Sequence, residues 1–329
     1  MTKYREIKGT LIQNVSADPP ASFEGQVWYN TTSNALKIDK GALVSAWSTG
    51  GALNTGGKGM IGVGTQTAAL VAGRDGATFS GDTELYNGTS WTEVNNVPYN
   101  IFAWAGAGTQ TAALGFGGYS PSPPSSPSAK TVSWNGTNWT QVNDLNKARY
   151  FNAGAGTQTS ALTSGGTGPT QPTAPTSTES WNGTNWTNVA DVPATPGGAD
   201  GVGESNTAFL QLGGYSPAIP GPRDTTLSWN GSSWTSLNSM NSTHYQGGAA
   251  GTTTSALIFS GAPGPTGNTT TESWNGTNWT TVSPLNVGRT EMAGAGASNV
   301  SSLAVGGGPA FTSTEEWSQT GGIETITSS

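Results

Sequence analysis

Few side chains in this sequence could act as catalysts. The 329 residues include one histidine, His244, and no cysteine. A zinc site needs several nitrogen or sulfur ligands, and a glycosidase needs two carboxylates about 5–10 Å apart. Several acids could converge near one end of the fold, although no spacing requires it: Asp75, Asp144, Asp191, Asp224 and Glu291. The sequence therefore predicts no catalytic residue, no metal and no cofactor.

The candidate binding residues are aromatic and cationic side chains at recurring positions. Tyr119 and Tyr215 each follow a double glycine. They could stack on a sugar or anchor a protein contact, or they could pack against their own loops. A set of cations could form a small anion-binding ring or could instead bind backbone carbonyls: Arg149, His244, Arg289 and Lys58. Arg223, in a proline-containing insertion, is a further binding candidate.

These positions recur because the sequence is repetitive. A Ser-Trp-Asn-Gly-Thr-Asn-Trp-Thr segment occupies residues 133–140, 180–187 and 273–280, with variants at 85–92 and 228–235. Its first aromatic residue recurs at intervals of 48, 47, 48, 45 and 43: Tyr86, Trp134, Trp181, Trp229, Trp274 and Trp317. The 49 glycines and 19 prolines would interrupt helices. A period of this size then predicts four short strands per repeat, which is one blade of a β-propeller.

One repeat shows the expected order of strands. Residues 149–156 predict a small-residue inner strand, residues 160–165 a second strand, and a long loop leads to a third strand that ends at Trp181. An Asn-Gly turn favours a tight hairpin, so Trp186 in the outer strand should lie opposite Trp181. We expect the tryptophans of these two columns to pack the blades: Trp47, Trp91, Trp134, Trp139, Trp181, Trp186, Trp229, Trp234, Trp274, Trp279 and Trp317.

The repeat resembles that of a known family. A double glycine closes the second strand, an aromatic residue lies in the third and a tryptophan in the fourth, over about residues 42–318. The double glycines are Gly117-Gly118, Gly165-Gly166, Gly213-Gly214 and Gly306-Gly307. This pattern resembles the Kelch family of β-propellers. With six copies of the aromatic, it implies an all-β, six-bladed propeller of four-stranded antiparallel blades.

We expect two parts in the chain: an attachment arm of residues 1–41, built as a β-meander, and a propeller of residues 42–329. Trp47 precedes Leu53 as Trp279 precedes Leu285. Residues 42–47 therefore predict an outer strand that closes the last blade beside residues 314–318. The alternative is that residues 323–327 supply this strand.

The arm carries a second resemblance. Residues 25–30 read Gly-Gln-Val-Trp-Tyr-Asn and lead into a short hairpin that ends at Trp47. Residues 7–53 resemble a module near the N-termini of bacteriophage virion proteins, in particular tail-fibre and other structural proteins of phages from marine bacteria and cyanobacteria. The resemblance implies a virion structural protein, made in the host cytoplasm and carried on the extracellular particle, whose arm binds other virion proteins. The expected role is a tail-fibre or host-recognition component. The alternatives are a capsid or tail decoration protein without a receptor role, and a glycan-processing enzyme on a propeller scaffold.

The charge distribution and the loops limit the classes of partner that the chain is expected to bind. Residues 1–58 carry six Lys or Arg and four acids, and the remainder six and fifteen, so the propeller is acidic and a poor partner for nucleic acid. Lys3, Arg5 and Lys8 could dock on an acidic protein surface or remain solvated. No secretory signal or membrane span is predicted, and a homo-oligomer remains open. Variable, proline-containing insertions all follow second strands and should share one face, which could bind a host surface glycan or protein: residues 118–128, 167–178, 214–224 and 262–269.

Overall fold

The computed structural model describes residues 12–19, 24–39, 41, 44–121, 125–167, 176–193, 197–216, 219–262, 267–321 and 323–325. Regular structure in these residues consists of β-strands, with no helix and therefore none long and apolar enough to cross a membrane. The chain divides into two compact units. One comprises Met1–Ser45 and Gln319–Ser329, and the other comprises Ala46–Ser318.

The strands are numbered in chain order. The first ten are β1 (Gln13–Val15), β2 (Val27–Asn30), β3 (Ala35–Asp39), β4 (Val44–Thr49), β5 (Ile61–Thr65), β6 (Ala68–Arg74), β7 (Ser80–Tyr86), β8 (Trp91–Val94), β9 (Ala105–Thr109) and β10 (Ala112–Phe116). The next eleven are β11 (Tyr119–Ser120), β12 (Ser126–Pro127), β13 (Thr131–Trp134), β14 (Trp139–Gln141), β15 (Ala153–Thr157), β16 (Ser160–Ser164), β17 (Thr178–Trp181), β18 (Trp186–Val189), β19 (Asp200–Ser205), β20 (Ala208–Leu212) and β21 (Tyr215–Ser216). The last eleven are β22 (Ile219–Pro222), β23 (Thr226–Trp229), β24 (Trp234–Ser236), β25 (Gly248–Gly251), β26 (Ala256–Phe259), β27 (Thr271–Trp274), β28 (Trp279–Val282), β29 (Ala293–Ser298), β30 (Ser301–Val305), β31 (Thr314–Thr320) and β32 (Ile323–Thr325).

The larger unit is a β-propeller, as the sequence predicts. Its described residues form six four-stranded antiparallel sheets, which we call blades 1 to 6: β5-β6-β7-β8, β9-β10-β13-β14, β15-β16-β17-β18, β19-β20-β23-β24, β25-β26-β27-β28 and β29-β30-β31-β4. The first strand of each blade lies beside the first strand of the next, and β29 lies beside β5, so the ring is closed. The short hairpins β11-β12 and β21-β22 lie in the loops after the second strands of blades 2 and 4.

Glycine is required in the inner strands because neighbouring strands approach closely. A Cβ atom on Gly62 would lie 2.6 Å from the carbonyl oxygen of Gly294 in the neighbouring blade. A Cβ on Gly294 would lie 2.3 Å from the carbonyl oxygen of Ala249. Real Cβ atoms do not come this close to backbone, so larger residues at these positions would separate the strands around the axis.

The two aromatic columns face each other across the last hairpin of a blade. Trp134 is the register partner of Trp139, and Trp181 that of Trp186. In both pairs the ring centroids lie 5.4 Å apart. The remaining pairs have the same arrangement: Tyr86 with Trp91, Trp229 with Trp234, Trp274 with Trp279, and Trp317 with Trp47. Paired aromatic rings of this kind stabilise adjoining strands beyond the area they bury.

The strand beside β31 in blade 6 comes from the N-terminal side of the chain. β4 lies at the outer edge of this blade, and Trp47 packs against Trp317 and against Phe259 of blade 5, at centroid distances of 5.4 and 5.0 Å. The strand spans residues 44–49 instead of 42–47, and residues 42 and 43 lie outside the described residues.

The alternative strand has a different partner. Ile323–Thr325 pairs with β3, in the small sheet β1-β2-β3-β32, and residues 326 and 327 lie outside the described residues. In that sheet β1 and β2 are parallel and the other pairs are antiparallel. The first unit thus contains a C-terminal strand that the expected arm of residues 1–41 does not include.

Candidate binding site on the propeller axis

A closed ring of backbone hydrogen bonds lies where the inner strands begin. It is formed by one residue from each blade: Gly59, Ala103, Phe151, Gly198, Gln246 and Glu291. The N–H of each donates to the carbonyl of its equivalent in the neighbouring blade, at 2.7–2.8 Å, and Gly59 closes the circle by donating to Glu291. All six residues have φ between 50° and 67°. This left-handed conformation is unfavourable for the four that are not glycine, and the complete ring offsets its cost.

The ring residues line a cavity of about 120 Å³ on the propeller axis. Met60, Trp104 and Met292 add apolar surface to its wall, and Asp200 adds a carboxyl group. A second cavity of about 90 Å³ adjoins it along the axis and is lined by glycine, alanine and valine alone. The cavity at the ring therefore has both polar and apolar side chains in its wall, whereas the second cavity has no polar side chain in its wall.

Asp200 is an unusual residue for this position. Asp200 is the first residue of β19, and the equivalent residue of blade 3 is Ala153. Its Oδ2 atom is buried and has no hydrogen-bond partner. Burial raises the pKa of Asp200 to about 7, although the charge of His244 and a hydrogen bond from the Gly247 backbone act in the opposite direction.

Glu291 contributes a second carboxylate to the cavity wall. Its Oε1 lies 2.7 Å from Lys58 Nζ, and the same ammonium lies 3.7 Å from Asp75 Oδ2. Burial alone would lower the pKa of Lys58, but the hydrogen bond and charge of Glu291, with a smaller contribution from Asp75, raise it. Lys58 is therefore a charged partner of two acids and not an open cation.

Five aromatic side chains form a continuous arc that ends at the cavity. We call Phe79, Phe102, Tyr119, Tyr150 and Phe151 the aromatic arc; successive ring centroids are 5.1, 5.5, 5.2 and 5.3 Å apart. Phe79 is 41% exposed and the other four are half-buried. Since Phe151 belongs to the ring of left-handed residues, the arc leads from the loops after the second strands of blades 1 and 2 to the axis.

The two tyrosines proposed from the sequence both lie in aromatic clusters. Tyr119 is in the middle of the arc, and Tyr215 packs against Tyr245 at a centroid distance of 5.7 Å. Burial, followed by the charge of Glu291 and smaller effects of Tyr150 and Tyr215, raises the pKa of Tyr245. Both candidates are half-buried, and their role in binding stays a prediction.

Sequence reasoning missed the other aromatic residues of this face. Phe102, Tyr150 and Tyr245 occupy one repeat position, next to the column that contains Arg149 and His244. Each forms a bridge to the third residue after a second strand: Phe102 to Tyr119, Tyr150 to Thr167 and Tyr245 to Ala262. The recurrence of an aromatic residue at this repeat position is visible in the sequence, and it indicates that the site contains more aromatic residues than the two tyrosines.

The expected anion-binding ring is not formed. Arg149 and Arg289 each bind a glutamate of their own blade, Glu179 at 2.7 Å and Glu315 at 2.9 Å, and both arginines are fully buried. His244 Nε2 lies 3.3 Å from Glu272 Oε1. These three side chains are blade components, since the same glutamates also accept hydrogen bonds from Asn146, Asn241 and Asn286.

Other sequence candidates are placed as follows. Arg223 is half-buried, its N–H donates to the carbonyl of Gly214, and its binding role stays a prediction. Lys3, Arg5 and Lys8 lie outside the described residues, as do parts of the four variable insertions. Across the described ranges, no group of three or more His, Cys, Asp or Glu residues is placed to hold a metal ion.

The fold and its axial cavity define the chain as a β-propeller with a candidate binding site at one end of its axis. The solved structure of YjhT is similar, with a TM-score of 0.67 and 13% sequence identity, and the match covers 83% of this chain and 99% of that one. At this identity the similarity shows the fold alone. No protein-family model matches the chain, and no curated protein sequence matches it.

Proposed function

We propose that this protein is a structural component of a bacteriophage virion, in a tail fibre or another host-recognition position, and that the loop-bearing face of its Kelch-like propeller binds a glycan or protein of the host surface. The observation that supports binding is the aromatic arc, which runs from an exposed phenylalanine to a cavity on the axis. Its virion location rests on the resemblance of residues 7–53 to phage proteins.

The arc has the properties of a recognition surface. Aromatic rings supply large contact areas at little cost in side-chain entropy, and tyrosine adds a polar group at the edge. The rings are held by one another and by a closed propeller, so little further ordering is needed when a ligand binds. A cavity with apolar walls and a few polar groups, such as Gln246 and Glu291, is typical of a specific binding site.

We propose further that the protein does not act as an enzyme. Glu291 is held by Lys58, so it is not a free partner for acid–base chemistry with Asp200. The competing proposal, a glycan-processing enzyme, is favoured by one observation: the raised pKa of Asp200 lies near neutrality, as a general acid requires. Mixing the protein with host envelope polysaccharide tests this, because an enzyme shortens the chains and a binding protein leaves their length unchanged.

The test of binding compares side chains on opposite faces of the propeller. F79A and Y119A remove contacts of the arc, whereas V300A changes a residue as exposed as Phe79, in the turn between β29 and β30. We expect each arc variant to weaken binding to host envelope polysaccharide or to purified outer-surface protein about 2- to 10-fold, as loss of aromatic contacts does. V300A should bind like the wild type. Equal binding by all four proteins would contradict the proposed face.

The virion location is tested on particles. Gold-labelled antibody against the propeller should mark the tail tip if the protein is a host-recognition component. Uniform labelling of the head or tail tube would instead support the decoration alternative, and unlabelled particles would exclude both. The proposed attachment of the first unit to other virion proteins predicts that a chain without residues 1–41 fails to join the particle.

A further inference from the structure

The charged side chains in the wall of the axial cavity are all acidic, and the amides Asn152 and Gln246 are its other polar side chains. Its lining contains two acids, Asp200 and Glu291, and no Lys, Arg or His among the described residues. The cations that the sequence suggested for this place are buried in the blades and bound to glutamates. The cavity is thus suited to a ligand that donates hydrogen bonds and carries positive charge, which is the reverse of an anion site.

Asp200 has a carboxyl oxygen that receives no hydrogen bond from the chain. Its Oδ2 is buried with no partner in the chain, and nearly all buried polar groups of folded proteins have one. The equivalent residues of blades 2, 3 and 6 are Ala105, Ala153 and Ala293, so the repeat does not need an acid here. A buried, unpaired carboxyl oxygen in the wall of a cavity is what a ligand donor would satisfy.

We propose that the axial cavity binds the protonated amine of an amino sugar, with Asp200 Oδ2 as the principal acceptor. An ammonium group has three N–H donors, and Glu291 and Gln246 in the same wall can accept the others. This inference rests on the proposed function, because the cavity lies at the inner end of the aromatic arc. The arc would hold the rest of the glycan while the cavity selects one residue of it.

The size and walls of the cavity favour one edge of a single sugar ring. Its volume of about 120 Å³ is smaller than that of the engineered cavity of about 150 Å³ that holds benzene, so it has room for the amine-bearing edge of one ring while the rest of the ring stays outside. Phe151 and Met292 provide apolar surface on which the C–H faces of a pyranose can pack, while the polar groups face its substituents. The flexible side chain of a lysine offers the same ammonium group but leaves this apolar surface and the arc without contacts.

Titration calorimetry with small probes tests the inference. The probes are D-glucosamine, D-glucose, N-acetyl-D-glucosamine, D-glucuronate and Nα-acetyl-lysine amide. We expect glucosamine to bind the wild type at least about 10-fold more tightly than every other probe. In D200N this preference should disappear, because the amide that replaces the carboxylate can turn a donor toward the ligand. E93Q removes the same charge from an exposed outer strand and should bind all probes like the wild type.

Each outcome decides the question. Equal affinity for glucosamine and glucose in the wild type, absence of glucosamine binding, or an unchanged preference in D200N would overturn the inference. Equal or tighter binding of the lysine amide would overturn the assignment to a sugar and indicate a protein amine. D200N is expected to fold, because it neutralises a buried acid, and its near-ultraviolet circular dichroism checks this.

The inference and the proposed function can fail separately. If F79A and Y119A lose polysaccharide binding while glucosamine and glucose bind equally, the face binds glycan and only the amine inference is wrong. If glucosamine is preferred in a manner that depends on Asp200 but the arc variants keep full binding, the cavity site stands and the proposed recognition face is wrong. Calorimetry on the intact chain gives both readouts.

Discussion

The indole Nε1 of Trp139, in the outer strand of blade 2, donates a 3.0 Å hydrogen bond to Oγ1 of Thr83, in the third strand of blade 1. The same bond joins four other pairs of neighbouring blades: Trp47 to Thr271, Trp91 to Thr314, Trp186 to Thr131 and Trp279 to Thr226. Between blades 3 and 4 it is missing. There Trp234 donates to the carbonyl of Ala190, and Oγ1 of Thr178 is buried without a partner.

This difference provides a matched pair of variants. T83V leaves the indole N–H of Trp139 without its acceptor, and a buried unpaired donor costs about 1–3 kcal/mol. T178V removes a hydroxyl that has no partner, so the stability should be unchanged or higher. Urea unfolding followed by tryptophan fluorescence measures both. Equal destabilisation by the two substitutions would show that the Trp–Thr bond does not join the blades.

The buried ion pair of blade 3 has an apolar counterpart in blade 2. Ile101 and Val132 occupy the positions of Arg149 and Glu179 and pack in the same core cluster. E179V alone leaves the Arg149 guanidinium buried without its carboxylate, and breaking such a pair costs about 3–5 kcal/mol. The double variant R149I/E179V should lose less stability than E179V. A double-mutant cycle by urea unfolding checks the order, and additive losses would contradict it.

Features set by neighbours in sequence could be predicted. The Asn-Gly turn places two tryptophans opposite each other, and the spacing of the aromatic columns gives the blade length, so the propeller and the pairs follow from local rules. The position of β4 also follows, because Trp47 lacks a blade of its own and the ring needs an outer strand.

The site was harder to predict because it joins residues from different blades. The sequence allows Arg149 to bind a ligand, because its partner Glu179 lies 30 positions later and nothing in either residue alone indicates full burial. The arc connects Phe79, Phe102 and Tyr150, whose contacts exist only after the blades are arranged in a ring. Asp200 differs from alanine at equivalent positions, which is visible in the sequence only when the six inner strands are aligned.

The closing strand gives a prediction about the two ends of the chain. W47A removes ring contacts with Trp317 and Phe259 and the bond to Thr271, and should cost about 3–5 kcal/mol, as core Trp-to-Ala substitutions do. Deletion of residues 321–329 removes no described strand of the six blades, so the propeller should keep its near-ultraviolet circular dichroism. A deletion variant that fails to fold would show that the C-terminal segment is needed for ring closure.

Asp200 should make the stability depend on pH in a direction opposite to that of most acids. Its pKa is about 7 in the folded chain, against 3.8 for the ordinary residue, so the folded state holds a proton that the unfolded state releases. Stability from this group is therefore fully present below about pH 4 and is lost as the pH rises through about 7. His244 is the charged group that acts on the pKa of this carboxyl, and Glu291, which is paired with Lys58, lies in the same cavity wall. We expect the free energy of unfolding of the wild type to fall more steeply between about pH 4 and pH 8 than that of D200N, which has no proton to lose there. E93Q should follow the wild type, and a D200N profile parallel to both would show that Asp200 is ionised in the folded protein throughout this range.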